Sequence, residues 1–391
     1  MTWAKRPPTI AGPWKSTGSV TRTFLMGISD PSTRARFALR TLLRRVIVNR
    51  RERMCGIEVQ PTKGFRLEDT PATMVASGKP GCWRVKWEGV LQCGHIWTCP
   101  VCSAKLRAER TQRIDRALRV AGGRWQMVTF TVSHRLGMPL KFLLDGLAKA
   151  LRRVKQGGKL QRVWKGRMTA SVRAFEVTYG QNGWHPHVHL LIRSSHWPAH
   201  QRKMLRDRWK RAVLEHLGPD CLPSDQRGVK WSDPFDASIA DERKRARYLS
   251  KLGAEIVGVA KDAKAGSWSS WDIARAAGDG SPMAIALWRE FSEATRGKRM
   301  LEMDDRAARF ADSWGPGCEG FEPEKELDAP GDCVRRVTLW SSELRALARL
   351  ERREPSLFAR IIADVQTCDD PSATVREWLS RAYACHGVDA R

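Results

Sequence analysis

The chain has 391 residues, with 69 Lys and Arg against 42 Asp and Glu, a net charge of +27. That length leaves room for two or three domains and a sizeable core, and that charge is most naturally held beside a polyanion, because phosphate contacts release counterions. No apolar run approaches the length needed to span a bilayer, which excludes integral insertion and leaves a basic membrane-surface protein as the competing class.

The first 54 residues hold twelve Lys or Arg against only Asp30 and Glu52. They lack a clear cleavage pattern and read as a basic arm that helps hold DNA rather than a transit peptide. Within them, about 31 to 49 predicts a helix with Phe37, Leu42, Leu43, Val46 and Ile47 as its apolar stripe.

Ten cysteines in a chain this long are not a small disulfide scaffold. Cys55, Cys82, Cys93, Cys99 and Cys102 cluster in the first quarter, so reduced, metal-binding thiols in a cytoplasm are the economical account. In Cys93-Gly94-His95-Ile96-Trp97-Thr98-Cys99-Pro100-Val101-Cys102 the Cys-Pro-x-Cys turn lets two thiolates converge on one Zn²⁺. A tetrahedral site needs a fourth ligand. Cys55 is the first choice because Cys-Gly recurs at Cys93-Gly94; Cys82 and His95 are the alternatives. The bland reading is a reduced apolar cysteine cluster without metal.

Ser103 to Leu118 predicts a basic helix with Leu106, Ile114 and Leu118 inward, stopped by Gly122-Gly123. Trp125 to Val132 alternates and is rich in β-branched residues, which predicts a strand. Residues 139 to 155 form an amphipathic helix. Two strands follow, about 170 to 179 and 185 to 193, joined by the turn Gly180-Gln181-Asn182-Gly183.

The second of these strands carries His185, His187 and His189 on one face and Pro186, Val188, Leu190 and Ile192 on the other. One face suits a core, and two imidazoles at i and i+2 suit one divalent ion with room left for an oxygen ligand, water and substrate phosphate. Antiparallel pairing can place Glu176 beside the histidines. Residues 198 to 217 then give a basic helix with Leu205, Trp209, Ala212, Val213 and Leu217 inward, followed by a short strand near 229 to 237. Ile239 to Ile256 predicts a helix containing Arg247-Tyr248-Leu249-Ser250-Lys251. Beyond about 257 the tryptophans Trp268, Trp271 and Trp288 read as packing. No Gly-x4-Gly-Lys-Ser/Thr phosphate loop is present, so there is no sign of a built-in helicase motor.

Four parts now stand in order: the cysteine segment, the Phe130-containing strand, His185-Pro186-His187-Val188-His189, and Tyr248-x-x-Lys251. Together, over roughly residues 55 to 300, they resemble the HUH endonucleases, and most of all the rolling-circle replication initiators of small bacterial plasmids and phages. The resemblance implies an α+β fold, an HUH-type antiparallel sheet covered by helices, with an N-terminal zinc-binding segment and a helical C-terminal region. It divides the chain into a basic arm (1–54), a zinc segment with basic helix (55–118), the nuclease domain (119–257), a helical extension (258–312), and a linker with helical tail (313–391).

It implies that His187 and His189 hold a catalytic Mg²⁺ or Mn²⁺, with Glu176 the preferred third ligand and His185 next. Cys55, Cys93, Cys99 and Cys102 would hold structural Zn²⁺. Of three tyrosines, Tyr179 sits on the apolar parity of its strand and Tyr383 near the C-terminus, which leaves Tyr248 as nucleophile. Lys251 would orient the phosphate or favour the phenolate, and Lys244, Arg245 and Arg247 would contact DNA. The expected partners are origin DNA, single-stranded at the nick, a host helicase and polymerase, and a second copy of the chain, in a bacterial cytoplasm with no membrane. One position departs from the family: where some relatives carry a water-activating glutamate before the tyrosine, this chain has Lys244, with Glu242 and Asp241 nearby. A transfer relaxase, a single-strand transposase and a non-catalytic zinc-dependent DNA-binding regulator are the competing readings.

Overall fold

The computed structural model of the protein describes residues 31–60, 70–156, 168–194, 197–237, 267–313, 333–354 and 356–385. The architecture is α+β with two antiparallel sheets, and the chain divides into two compact units. Among the described residues the first unit takes those within Arg107–Ile273 and Ala286–Glu319, and the second those within Ser16–Leu106, Ala274–Ile285 and Gly320–Arg391.

The second unit begins with α1 (Pro31–Leu43) and the short α2 (Arg50–Arg53). Helix α1 ends earlier than the apolar stripe suggested, ahead of the β-branched run Val46-Ile47-Val48, which disfavours helix against the preceding turn. Strands β1 (Ala72–Lys79) and β2 (Cys82–Glu88) form a hairpin. On the other side of β1 lies a strand of the C-terminal portion, Cys333–Leu339. The C-terminal region is therefore not wholly helical: a strand precedes its three helices, Ser341–Arg353, Leu357–Thr367 and Pro371–Ala384, because Val334, Val337 and Thr338 supply β-branched residues at the edge of a sheet. Met74, Ala76 and Trp83 from the sheet share one core with Leu344, Leu347, Phe358, Ile361 and Ile362 from the helices.

Helix α3 (Pro100–Ala121) leads into the first unit, where Ile114 and Leu118 are buried. Its sheet contains β3 (Arg124–Thr131), β4 (Met168–Gly180), β5 (Gly183–Ser194), β6 (Val229–Trp231), β7 (Phe235–Asp236), β8 (Ser267–Ser269) and β9 (Leu301–Met303). The main path runs β6-β3-β5-β4-β8, with β7 pairing β3 and β9 pairing β4. Helices α4 (Leu140–Lys155) and α5 (Ala199–Leu217) pack on one another at Gly146, where an added Cβ would lie 2.1 Å from Leu217 Cδ2. Trp209 of α5 meets Phe130 at 5.0 Å between ring centroids and donates its indole N–H to the Thr131 carbonyl at 2.9 Å. These helices cover the apolar parity of β5, where Val188, Leu190 and Ile192 are buried.

The expected helical extension also needs correction. It contains α6 (Ser270–Gly278), α7 (Pro282–Thr295) and α8 (Asp305–Asp312), but also β8 and β9, whose three-residue length is too short to show a period in the sequence. Helix α8 packs against β4, and Phe310 lies over Arg193, on the histidine parity of β5, at 5.9 Å. Helices thus meet both faces of the sheet, and among the described residues the Glu176 and His187 side chains on the histidine parity keep 20% and 14% exposure.

Candidate metal centres and the histidine face

In the second unit, backbone pairing sets two Cys-Gly turns side by side: the Gly56 N–H donates to the Leu91 carbonyl at 2.8 Å, and the Leu91 N–H donates to the Glu58 carbonyl at 2.7 Å. Gly56 and Gly94 both take positive φ, +75° and +73°, a backbone that glycine adopts without the Cβ penalty. Cys55 and Cys93 come from these turns, and Cys99 and Cys102 from the start of α3. All four are buried, and their sulfurs lie within 4.8 Å of one another. Cys55 Sγ is 3.3 Å and Cys93 Sγ 3.8 Å from Cys102 Sγ. Tetrahedral Zn–S bonds of about 2.3 Å imply sulfur–sulfur edges of about 3.8 Å, so the cradle fits that ion.

The Cys102 N–H donates to Cys99 Sγ at 3.4 Å, and the His95 N–H to Cys93 Sγ at 3.5 Å. Hydrogen bonds from Cys55, Cys93 and Cys99 hold the Cys102 thiol far below its ordinary range, while Cys93 and Cys99 are pushed up by their sulfur neighbours and by burial. A cation bound among these sulfurs would displace their thiol protons. The alternatives for the fourth ligand stand elsewhere: Cys82 is exposed on β2, and His95 Nδ1 pairs with Glu52 at 3.1 Å. That hydrogen bond raises the His95 pKa against the opposing effect of burial.

In the first unit, the β4–β5 register sets Glu176 opposite His187 and Ala174 opposite His189. Glu176 Oε2 accepts from His187 Nε2 at 2.5 Å and from His189 Nε2 at 2.9 Å. These ligand atoms also lie within 4.8 Å of one another. Adjacent ligands of an octahedral ion at about 2.1 Å stand about 3.0 Å apart, so this triad fits a small hard cation. His187 Nδ1 is buried with no hydrogen-bond partner among the described residues. Burial opposes ionisation of Glu176, but the two imidazoles outweigh it and hold the carboxyl well below the usual range. Three ligands leave room on an octahedral ion for water and substrate oxygens.

His185 stands next along the row, its ring centroid 5.2 Å from that of His187, and lies outside the triad. Burial, then the neighbouring His187 and His134, push its pKa down to about 4. Two residues here escaped sequence reading. His134, in the loop after β3, contacts His185, and no periodicity marks a loop residue. Lys230, exposed on β6, pairs with Thr129 and so shares the histidine face, a placement visible only from the strand register. Tyr248, Lys251, Lys244, Arg245, Arg247, Glu242 and Asp241 lie outside the described residues.

Residues 86–217 match the model of the replication protein family. This stretch, about a third of the chain, is similar to that family. It contains Cys93, Cys99, Cys102, Glu176, His187 and His189, and it ends before Tyr248. The chain is also similar to the Protein rep of Streptomyces lividans, 28% identical over an alignment of 290 residues that covers 55% of this chain and 62% of that protein. It is similar as well to a neomycin resistance protein of Streptomyces cyanogenus, 32% identical over an alignment of 133 residues that covers 27% of this chain and 30% of that one. The chain therefore spans less than two thirds of the length of either relative. No solved structure matches it significantly. Among the described residues no helix is long and apolar enough to cross a membrane.

Proposed function

We propose that this protein is a plasmid or phage rolling-circle replication initiator of the HUH type, which nicks one strand of its origin and stays joined to the 5′ end. The observation that carries the reading is the convergence of Glu176, His187 and His189 on one face of the sheet, inside the stretch that matches the replication protein family.

In this reading the triad holds Mg²⁺ or Mn²⁺, and the four cysteines hold structural Zn²⁺. The divalent ion supplies Lewis acidity to the scissile phosphate and offsets charge in the transition state. The Tyr248 hydroxyl gives up its proton and its oxygen attacks phosphorus. The bond to the 3′ oxygen breaks, that oxygen takes a proton, and the products are a 5′-phosphotyrosyl linkage and a free 3′-OH for a polymerase. Lys230, on the triad's face, and Lys251 neutralise the phosphate, while Lys244, Arg245 and Arg247 hold the single strand through its backbone. A host helicase, a polymerase and a second protomer complete the proposed cycle, and with Lys244 in the family's glutamate position, termination falls to Glu242, Asp241 or the second protomer.

The other tyrosines are poor nucleophiles by environment, which supports Tyr248. Burial and then Glu290 raise the Tyr179 pKa, and its ring packs on Trp184 at 5.0 Å. Burial and then Glu343 raise that of Tyr383. Incubating the wild type with supercoiled origin plasmid should leave protein covalently on a 5′ end, and Tyr248→Phe should leave none. An adduct mapping by peptide mass to Tyr179 or Tyr383 would overturn the assignment, and origin binding with no nick would favour a zinc-dependent regulator.

A further inference from the structure

The sheet of the second unit has two unlike faces. On one parity, Met74, Ala76 and Trp83 share the core with the C-terminal helices, and Trp87 packs on Phe358 at 6.1 Å between ring centroids. On the other parity the registers set three rows across β2, β1 and the strand Cys333–Leu339: Arg84, Ser77 and Val334, then Lys86, Val75 and Arg336, then Glu88, Thr73 and Thr338. Arg84, Lys86 and Arg336 are exposed, whereas Val75 between the last two is 3% exposed. The charged side chains, not the strand between them, are what a partner would meet.

The three strands hold Lys79, Arg84, Lys86, Arg335 and Arg336, with Glu88 as their only acid. In the middle row a cation stands on either side of an apolar residue, about 10 Å apart along two strand spacings, and no residue of that row carries a negative charge. Glu88 lies one row away and pairs with Lys86 at 3.1 Å, the two side chains 52% and 50% exposed. An ion pair that exposed contributes little, so a phosphate can replace it.

Such a face fits a polyanion, and its chemistry distinguishes duplex from single strand. A single strand is held by basic residues together with aromatic rings on which its bases stack. Both tryptophans of this sheet have the core parity, and Trp83 is 1% exposed, so the basic parity offers charges and the hydroxyls of Thr73 and Thr338 but no stacking ring. Duplex phosphates accept from such groups, and strands can lie in a major groove about 12 Å wide, close to the roughly 10 Å that three strands span. We infer that this face, through Arg84, Lys86 and Arg336, is a docking surface for double-stranded DNA, carried by a different unit from the histidine face. The inference rests on DNA being the partner, as in the function proposed above, and not on the nick.

The test is fluorescence anisotropy of the full chain, without added divalent ion, on a short random-sequence duplex and on one of its strands, across a series of salt concentrations. Replacing Arg84, Lys86 and Arg336 together by Gln should lower the slope of log affinity against log salt on the duplex by about 2–3, since each phosphate contact contributes about 0.9. The slope on the single strand should stay as in the wild type. Arg84→Lys, Lys86→Arg and Arg336→Lys, combined, should keep the duplex slope, because a phosphate accepts from either cation. Replacing Lys149, Arg152 and Arg153 of α4 by Gln removes the same charge from the first unit and should leave the duplex slope nearly unchanged. Melting curves identify a misfolded triple variant, in which case Lys86→Gln with Arg336→Gln should lower the slope by about 2. An unchanged duplex slope, an equal loss on the single strand, or an equal loss in the α4 variant overturns the inference. So does a wild-type dimer in sedimentation that the variant loses while its DNA slope holds, which would give the face to a second copy. A wild type that binds no DNA at all would instead remove the function proposed above.

Discussion

The two ligand clusters differ in closure, in origin along the chain and in what holds them together. The cysteine cluster has four candidate ligands from two Cys-Gly turns and the start of α3, with Cys55 and Cys99 at 0% exposure. The histidine face has three candidate ligands on two adjacent strands, with the Glu176 side chain 20% and the His187 side chain 14% exposed. A closed tetrahedron has no place for substrate, and its ion serves folding; an open set can exchange water for phosphate. The strand register brings the triad together through backbone pairing, whereas the four cysteines are held by turns, and any ion they bound would displace their thiol protons. Opposite responses to mutation follow.

Cys99→Ser should have the largest effect. Structural zinc in small domains contributes about 10–16 kcal/mol of apparent binding energy, so losing one thiolate should release the ion and open the second unit. Metal analysis should fall from one tightly held zinc per chain to none, and amide exchange should accelerate in β1, β2 and the C-terminal helices. The β3–β5 sheet should keep its protection. No tightly held zinc in the wild type would break the comparison at its root.

The next effect comes from a buried charge cluster in the same unit. Glu351 accepts from Arg40 at 3.0 Å, from Arg44 at 2.5 Å and from the Thr41 hydroxyl at 2.8 Å, and Arg40 also donates to the Cys55 carbonyl at 2.8 Å. Arg40 and Glu351 side chains are both 0% exposed. Glu351→Gln leaves buried guanidinium charge without its anion and should cost about 3–5 kcal/mol in denaturant unfolding. The rate of nicking per folded molecule should be unchanged.

Replacing His187 and His189 together by Ala should do the reverse. The polar end of the face is partly hydrated, so stability should fall by only about 1 kcal/mol. Nicking should vanish, and origin affinity should hold within about threefold, because phosphate contacts dominate it. Full nicking by this variant in Mn²⁺ buffer would remove the HUH reading.

The open centre was legible in the sequence because strand parity and a two-residue turn fix it locally. Gly180-Gln181-Asn182-Gly183 sets the register, and the register alone puts Glu176 opposite His187. The cysteines were legible through spacing, and Cys55 through its repeated Cys-Gly. What escaped has no local period. Arg40 and Glu351 are 311 residues apart, β8 and β9 are three residues each, and Cys333–Leu339 joins a sheet begun at Ala72. Such pairings are decided by tertiary packing.

The smallest expected effect separates the two centres in acid. At the thiolates, protons compete with the ion, so falling pH should release metal. On the histidine face the sign comes from two groups. His185 is held at about 4 when folded against an ordinary 6.5, chiefly by burial. Between those values the unfolded chain binds a proton that the folded chain refuses, so stability falls as pH drops from about 6.5 to about 4. Glu176 acts lower: with its folded value depressed, its contribution is present above the unfolded carboxylate value and is lost as pH falls through the folded one. Because the His185 ring is partly reached by water, its share should be on the order of 1 kcal/mol. His185→Gln should therefore flatten the dependence between pH 6.5 and 4, and Glu176→Gln should flatten only the part below it. Urea midpoints followed by tryptophan fluorescence without added divalent ion would test this; an acid limb in His185→Gln as steep as in the wild type would assign that loss to other groups.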